Sequence, residues 1–213
     1  DISTKANRSN HVKIIAASKT RSFQEIVDVY NAGINHIGEN RIQEADKKFE
    51  SFDSMPNITR RFIGHLQTNK VNKCLDLFDT IDSVDSLKLA EKINNRSSFL
   101  NKKTSILLEI NTSGDGGKKG FSPNLNDDFY SIFGLDSLKV DGLMTMGPLS
   151  QKENETRTAF ALLRKIKTKI NDQLPGEPIK ELSMGMSGDF QIGIEEGSTM
   201  IRLGTAIFGK RNY

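Results

Sequence analysis

The lysine best placed to do chemistry is Lys19, which directly follows the apolar run VKIIAAS at residues 12–18. Removal of an amine from water favours its neutral form, and a neutral lysine amine can form a Schiff base with a carbonyl compound. The position alone also fits an ordinary solvated loop lysine, because lysines are mostly exposed. Lys19 therefore needs support from other residues.

Two turns near the carboxyl terminus could bind a phosphate group. SMGMSGDF at 183–190 and IRLGTAIFG at 201–209 each join a predicted strand to a helix through small residues. Free backbone N–H groups and the helix dipole converge at such turns. Ser187 could donate its hydroxyl to a phosphate while it caps the next helix, Gly204 would admit close approach of the backbone, and Thr205 adds an amide and a hydroxyl. Taken singly, Ser187 also fits a simple helix cap and Gly204 a tight turn.

Arg202 could supply a third contact. It precedes Gly204 by two residues, so the two share one face of the last strand. Its guanidinium could donate to a ring nitrogen or to a second anionic group, although a salt bridge with Glu109 inside a barrel is the alternative. A lysine for an imine, a phosphate cup and a partner for a ring nitrogen together describe a site for pyridoxal 5′-phosphate.

The elements that position these residues alternate between strand and helix patterns. This alternation is typical of βαβ units. Eight strands in 213 residues give about 27 residues per unit, near the lower limit for a closed (β/α)8 TIM barrel, with an open doubly wound sheet as the competitor. The barrel is favoured because the unusual residues all follow strand ends, which meet on one face of a barrel. The strands are predicted at 12–17, 34–38, 61–64, 77–81, 104–110, 140–144, 179–182 and 200–203.

Seven helices are predicted between these strands. Ser22 and Glu25 fit a capping box, Asp85 fits an N-cap before SLKLAEKI, and Gly33 fits a helix stop. No linker rich in Pro, Gly or Ser divides the chain, so we expect one domain over 1–213 with a polar arm at 1–11. The helices are predicted at 22–31, 41–52, 68–74, 86–95, 125–133, 151–174 and 188–196.

Composition excludes several classes of protein. Thirty Lys and Arg against 27 Asp and Glu give a net charge of +3 without a basic stripe, which disfavours nucleic-acid binding. The apolar runs are far too short to cross a membrane, and the polar start does not resemble a signal peptide. The single cysteine fits a reducing compartment, so we expect a cytoplasmic protein. No histidine or cysteine spacing suggests a metal site, and no glycine-rich nucleotide motif occurs.

Six motifs together resemble a known family. Over residues 12–211 the chain is similar to the pyridoxal-phosphate-binding proteins typified by the bacterial YggS protein and the eukaryotic proline-synthetase co-transcribed homologue. These proteins share the barrel of the alanine racemase N-terminal domain. The motifs are AASKT, HIGENRIQEA, RFIGHLQTNK, GLMTMGP, ELSMGMSGDFQIGIEEGST and IRLGTAIFGKR, in the family's order and spacing.

This resemblance implies roles for individual residues. Lys19 looks like the lysine that holds pyridoxal phosphate as an internal aldimine, Arg202 like the partner of the pyridine nitrogen, and Ser187, Gly204 and Thr205 like the phosphate cup. The remaining residues placed around the cofactor are Asn40, His65, Asn69, Met144 and Met184. Simpler interpretations remain for some of them: a helix N-cap for Asn40, a bond to a backbone carbonyl for His65, and packing for the methionines.

The resemblance further implies a protein of intracellular vitamin B6 homeostasis without established catalysis. A guanidinium does not give up its proton, so it keeps the pyridine nitrogen unprotonated and the ring a poor electron sink. We expect pyridoxal phosphate as the small-molecule partner, apo forms of pyridoxal-phosphate enzymes as recipients, and a monomer. The alternatives are a weak amino-acid racemase or related lyase with Lys19 as the base, and a Schiff-base aldolase without a cofactor.

Overall fold

The computed structural model describes residues 12–49, 52 and 55–210 of the chain. Its eight strands are all parallel and follow one another around a closed barrel, in which β1 also pairs with β8. The fold is therefore the predicted closed (β/α)8 barrel. The strands are β1 Lys13–Ala17, β2 His36–Glu39, β3 Thr59–Phe62, β4 Thr80–Val84, β5 Thr104–Glu109, β6 Leu138–Met144, β7 Glu181–Met186 and β8 Met200–Leu203.

Helices surround the barrel and connect its strands. None of those in the described part of the chain combines the length and apolar character needed to cross a bilayer. Short 3-10 turns at Thr68–Lys70 and Ile132–Gly134 extend two of them. The helices are α1 Phe23–Asn31, α2 Ile42–Phe49, α3 Val71–Leu77, α4 Leu87–Phe99, α5 Asp127–Ser131, α6 Glu153–Gln173, α7 Phe190–Glu195 and α8 Thr205–Phe208.

Local capping signals explain where several helices begin and end. Ser22 and Glu25 form the predicted capping box of α1, and Gly33 ends this region with φ of +92°. The predicted N-cap Asp85 is wrong: the hydroxyl of the next residue, Ser86, accepts the amide of Leu89 at 3.4 Å. A hydroxyl three residues before a helical amide is the usual capping geometry, and Ser86 occupies that position.

Some boundaries differ from the sequence prediction. Strand β4 lies three residues later than predicted, because α3 continues to Leu77 and closes with a bond from the amide of Phe78 to the carbonyl of Cys74. This shift places Asp82 within the strand. Helix α8, of four residues, is not predicted at all, because one turn gives no periodic pattern to detect.

The strands separate two layers of buried side chains. Along β8, Ile201 and Leu203 pack outward with Ile194 of α7, whereas Met200 belongs to a separate small cluster with Ile15. Because side chains alternate along a strand, Arg202 faces the barrel interior together with Met200. The interior therefore combines a thin apolar layer with buried polar groups, and the carboxyl ends of the strands open above it.

Candidate functional site

Lys19 lies in the turn that follows β1, and its side chain is half-buried. Within the described residues its amine makes no hydrogen bond or ion pair. Strand β1 lies beside β8 with Ala16 opposite Leu203, so the turn of Lys19 is next to the turn that contains Gly204. The barrel closure thus brings together two residues that are 185 positions apart in the sequence.

The two turns predicted to bind phosphate meet at one hydroxyl. Ser187 Oγ accepts the amide of Gly204 and the amide of Ala206, each at 3.2 Å. The expectation that Ser187 caps the next helix is wrong, because Asp189 occupies the N-cap position of α7. Thr205 is exposed and begins α8. Two amides that converge on one oxygen fix the side chain of Ser187, and its hydroxyl proton remains available to donate to an anion.

Gly204 leaves open space at this point. Its backbone has φ of −110° and ψ of −83°. A Cβ built on it would meet only Ala17, at 3.6 Å from the carbonyl oxygen, which is an ordinary contact. Both the phosphate cup and the tight turn remain predictions for Gly204.

Arg202 is 6% exposed and held in one orientation by backbone and side-chain acceptors. Its Nη1 donates to the carbonyl oxygen of Ser183 at 2.8 Å and to Ser183 Oγ at 2.7 Å, and its Nη2 donates to the carbonyl oxygen of Thr145 at 2.8 Å. Among the described residues Nε has no acceptor. Burial lowers the pKa of Arg202, and the negative charges of Asp82 and Glu109 oppose this shift.

The alternative of a direct salt bridge between Arg202 and Glu109 is not found within the described residues. Glu109 ends β5, is 4% exposed, and interacts with Arg202 only through space. Burial raises the pKa of Glu109 from 4.5 to about 7, while Arg202 and Lys118 lower it and Asp85 raises it. The sequence analysis predicts Glu109 only as a salt-bridge partner of Arg202. The signal that would have identified Glu109 as a candidate site residue is its position at the carboxyl end of strand β5.

Asn40 follows β2 directly and is half-buried. The end of β3 approaches it so closely that a Cβ on Gly64 would lie 2.2 Å from the carbonyl oxygen of Asn40. His65 is next along the chain, and its side chain is 50% exposed. Its Nδ1 lies 3.2 Å from Asp85 Oδ2, so its partner is a carboxylate rather than a backbone carbonyl.

The two methionines occupy different layers. Met184 is fully buried in the main core cluster, where it packs against other apolar side chains. It therefore does not lie with the residues of the candidate site. Met144 belongs to the interior cluster with Ile15 and Leu107. Asn69 lies in the 3-10 turn before α3.

Open spaces lie at both ends of the barrel. A cavity of about 370 Å³ borders Ser187, Asp189 and Arg157. A groove of about 830 Å³ lies beside the starts of β6 and β7, where Lys139 pairs with Asp141 at 2.8 Å. The chemistry described above concentrates at the first end. No group of three or more metal-ligating side chains occurs in the described residues.

Comparisons with known proteins agree with this architecture. The chain matches the family model described as alanine racemase, N-terminal domain, over residues 2–212. A pyridoxal phosphate homeostasis protein of Aquifex aeolicus is 38% identical over 205 residues, which cover 96% of this chain and 89% of the relative.

Two solved structures of PipY from Synechococcus elongatus are also similar. The structure without PLP is 36% identical with a TM-score of 0.89, and the match covers 97% of this chain and 98% of PipY. The structure with PLP bound is 33% identical with a TM-score of 0.85, and the match covers 98% of this chain and 100% of PipY. The chain therefore belongs to the pyridoxal phosphate homeostasis protein family, which has the barrel of the alanine racemase N-terminal domain.

Proposed function

We propose that this chain binds pyridoxal 5′-phosphate at the carboxyl end of its barrel and serves intracellular vitamin B6 homeostasis. The observation that carries the proposal is the convergence of the Gly204 and Ala206 amides on Ser187 Oγ, beside the turn of Lys19. The names of the relatives and the PLP-bound neighbour support the same cofactor.

The donor set fits a phosphate group. The hydroxyl proton of Ser187 and the exposed residue Thr205 can donate to one anion, while the amides of Gly204 and Ala206 hold Ser187 Oγ in place. A Cβ on Gly204 would meet only Ala17, at 3.6 Å or more, so no side chain crowds this turn. Hydrogen bonds from neutral donors to a charged group are stronger than those between neutral groups, so this cup suits a dianion.

Arg202 fits the ring end of the cofactor. Its terminal nitrogens are committed to Ser183 and Thr145, which orients the remaining Nε donor. A guanidinium remains protonated at neutral pH, so an opposing ring nitrogen must act as the acceptor and stay unprotonated. The expected consequence is weak electron withdrawal by the ring, which favours holding the cofactor over catalysis.

Lys19 is the amine that we assign to covalent attachment. Bound pyridoxal phosphate supplies an aldehyde that condenses with a primary amine and releases water. The half-buried position of Lys19 and its lack of a partner in the described residues leave its amine available. Asn40 and His65 complete our proposed pocket, with His65 oriented by Asp85.

The enzymatic alternative is a weak racemase or lyase with Lys19 as the base. A racemase of this fold needs a second acid or base, and tyrosine is the expected residue. The hydroxyl of Tyr30 donates to the carbonyl oxygen of Pro56 at 2.7 Å, and the hydroxyl of Tyr130 donates to Gln173 Oε1 at 2.9 Å. Both tyrosines therefore bind groups outside the candidate site. Tyr213 lies outside the described residues.

The remaining properties follow from the same proposal. We assign the chain to the cytoplasm, treat 1–213 as a single domain and a monomer, and expect apo enzymes that require the cofactor to be its recipients. The 1–11 arm lies outside the described residues.

The test begins with the purified, cofactor-free protein. Pyridoxal phosphate is added, the visible spectrum is recorded, and borohydride reduction is followed by peptide mass mapping. We expect a yellow protein with the label on Lys19, whereas Lys19→Ala stays unlabelled but folded and Lys152→Ala, at an exposed residue, behaves as the unsubstituted protein. A label on another lysine, or none, would overturn the assignment. Exchange of the α-proton of an L-amino acid faster than with free cofactor would favour the enzyme.

A further inference from the structure

Helix α2 presents two polar side chains to the residues on either side of Lys19. The amide of Thr20 donates to Glu44 Oε2 at 3.1 Å, and Lys48 Nζ donates to the carbonyl oxygen of Ser18 at 2.8 Å. Glu44 and Lys48 are four residues apart, so they lie on one face of α2. This helix face therefore holds the backbone both before and after Lys19.

A buried carboxylate supports the contact between Lys48 and Ser18. Glu39 is fully buried, and its Oε1 accepts Lys48 Nζ at 2.6 Å and Ser18 Oγ at 2.7 Å. Its Oε2 has no partner within the described residues. A buried charge is costly unless it is paired, and Lys48 supplies the opposite charge here, so Glu39 holds the ammonium of Lys48 beside Ser18.

The turn itself is strained. Thr20 has φ of +64°, in the left-handed region that β-branched residues rarely adopt. Such a conformation persists where its surroundings impose it, and it is found preferentially at functional sites. Here the bond from Thr20 to Glu44 and a bond from the amide of Arg21 to the carbonyl oxygen of Ser18 at 2.9 Å impose it.

We propose that Glu44 and Lys48 are positioning residues, which act through Thr20 and Ser18 to aim the side chain of Lys19 at the cofactor aldehyde. This inference rests on the proposed function. A small displacement of a reacting amine costs roughly 10- to 100-fold in rate, because bond formation requires near-contact geometry. Release of the turn should therefore slow covalent loading much more than it weakens the fold.

The test uses the full chain with matched substitutions on the same helix. Lys48→Met alone would leave the carboxylate of Glu39 unpaired, so it is combined with Glu39→Gln to remove the buried charge. Lys47→Met is the control, because Lys47 is the exposed neighbour of Lys48. For the contact with Thr20, Glu44→Leu removes the acceptor, whereas Glu44→Gln retains an oxygen for the Thr20 amide.

Two readouts separate positioning from stability. In the cofactor-free protein, amide hydrogen exchange of the peptide containing residues 18–21 should accelerate about 10-fold or more in the double variant and in Glu44→Leu, whereas the urea midpoint stays close to that of Lys47→Met. After addition of pyridoxal phosphate, the rate of appearance of the visible band should fall about 10-fold or more in these two variants. Lys48→Arg and Glu44→Gln should restore most of the rate.

Equal loading rates in the folded double variant and in Lys47→Met would overturn the positioning roles while leaving the proposed function intact. A parallel loss of loading and stability in every variant would also overturn them. If the unsubstituted chain gains no label on Lys19, the proposed function fails, and the positioning proposal fails with it.

Discussion

The hydroxyl of Ser187, after β7, accepts the backbone amide of Gly204, after β8, at 3.2 Å. This bond joins two adjacent turns across the mouth of the barrel. Because this oxygen accepts the amides, the hydroxyl proton remains available to donate to a phosphate, and the contact predicts how the turns respond to substitution. Replacement of the hydroxyl removes one donor to a phosphate but leaves the amides in place.

Ser187→Ala should weaken retention of pyridoxal phosphate without abolishing it. Several donors share the phosphate, so the loss of one should cost about 1 to 3 kcal/mol of binding free energy. Equilibrium dialysis of cofactor from the loaded protein measures the effect, with Ser98→Ala on the exposed side of α4 as the control. Unchanged retention in Ser187→Ala would place the phosphate elsewhere.

Glu109→Gln should change how stability depends on pH in the cofactor-free protein. Because the pKa of Glu109 is raised from 4.5 to about 7, the folded state binds its proton more tightly than the unfolded state. The ionised carboxylate of Glu109 therefore lowers the free energy of unfolding by its full amount above pH 7. This destabilisation disappears as the pH falls from 7 towards 4.5. The groups that set this pKa alongside burial are Arg202, Asp85 and Lys118.

We accordingly expect Glu109→Gln to be more stable than the unsubstituted protein at pH 8, by up to roughly 3 kcal/mol, and equally stable near pH 4. Urea unfolding at a series of pH values gives both curves. Glu91→Gln, at an exposed position on α4, should leave the pH dependence unaltered. Parallel curves for Glu109→Gln and the unsubstituted protein would contradict the buried, uncompensated state of this carboxyl.

Asp82→Asn should be strongly destabilising, whereas Asp79→Asn should not. Asp82 is fully buried and accepts two bonds from Arg61, at 2.8 and 3.0 Å, whereas Asp79 pairs with Arg60 at the partly exposed outer surface. Removal of one partner from a buried pair costs about 3 to 5 kcal/mol, and removal from an exposed pair about 1 kcal/mol or less. Chemical denaturation of both variants measures the difference, and similar losses would disprove the interior placement of Asp82.

Gly64→Ala should disturb the cofactor site through the backbone. A Cβ on Gly64 would lie 2.2 Å from the carbonyl oxygen of Asn40, so one of the two segments must move. We expect lower stability and weaker cofactor retention, measured by thermal unfolding and by dialysis. Gly134→Ala is the matched control, since a Cβ there meets nothing within 4 Å. If Gly64→Ala retains the cofactor as well as the unsubstituted protein does, Asn40 does not belong to the cofactor pocket.

Periodicity in the sequence predicted every strand of the barrel, because alternating short apolar runs and helical patterns report local burial. It predicted boundaries less well: β4 begins at Thr80 rather than at residue 77, since the continuation of α3 depends on its packing. Helix α8 was missed because a single turn is stabilised by its surroundings and carries no pattern of its own.

The sequence by itself determined the family, the barrel and the residue types needed for an amine, a phosphate cup and a guanidinium, because these depend on motifs and on local pattern. Tertiary structure alone decided which groups meet: that Ser187 accepts amides from the next turn, that Met184 faces the core, and that Glu109 is buried with a raised pKa. It also decided that α2 holds both neighbours of Lys19. These relationships join residues distant in the chain, and closure of the barrel sets their distances and their access to water.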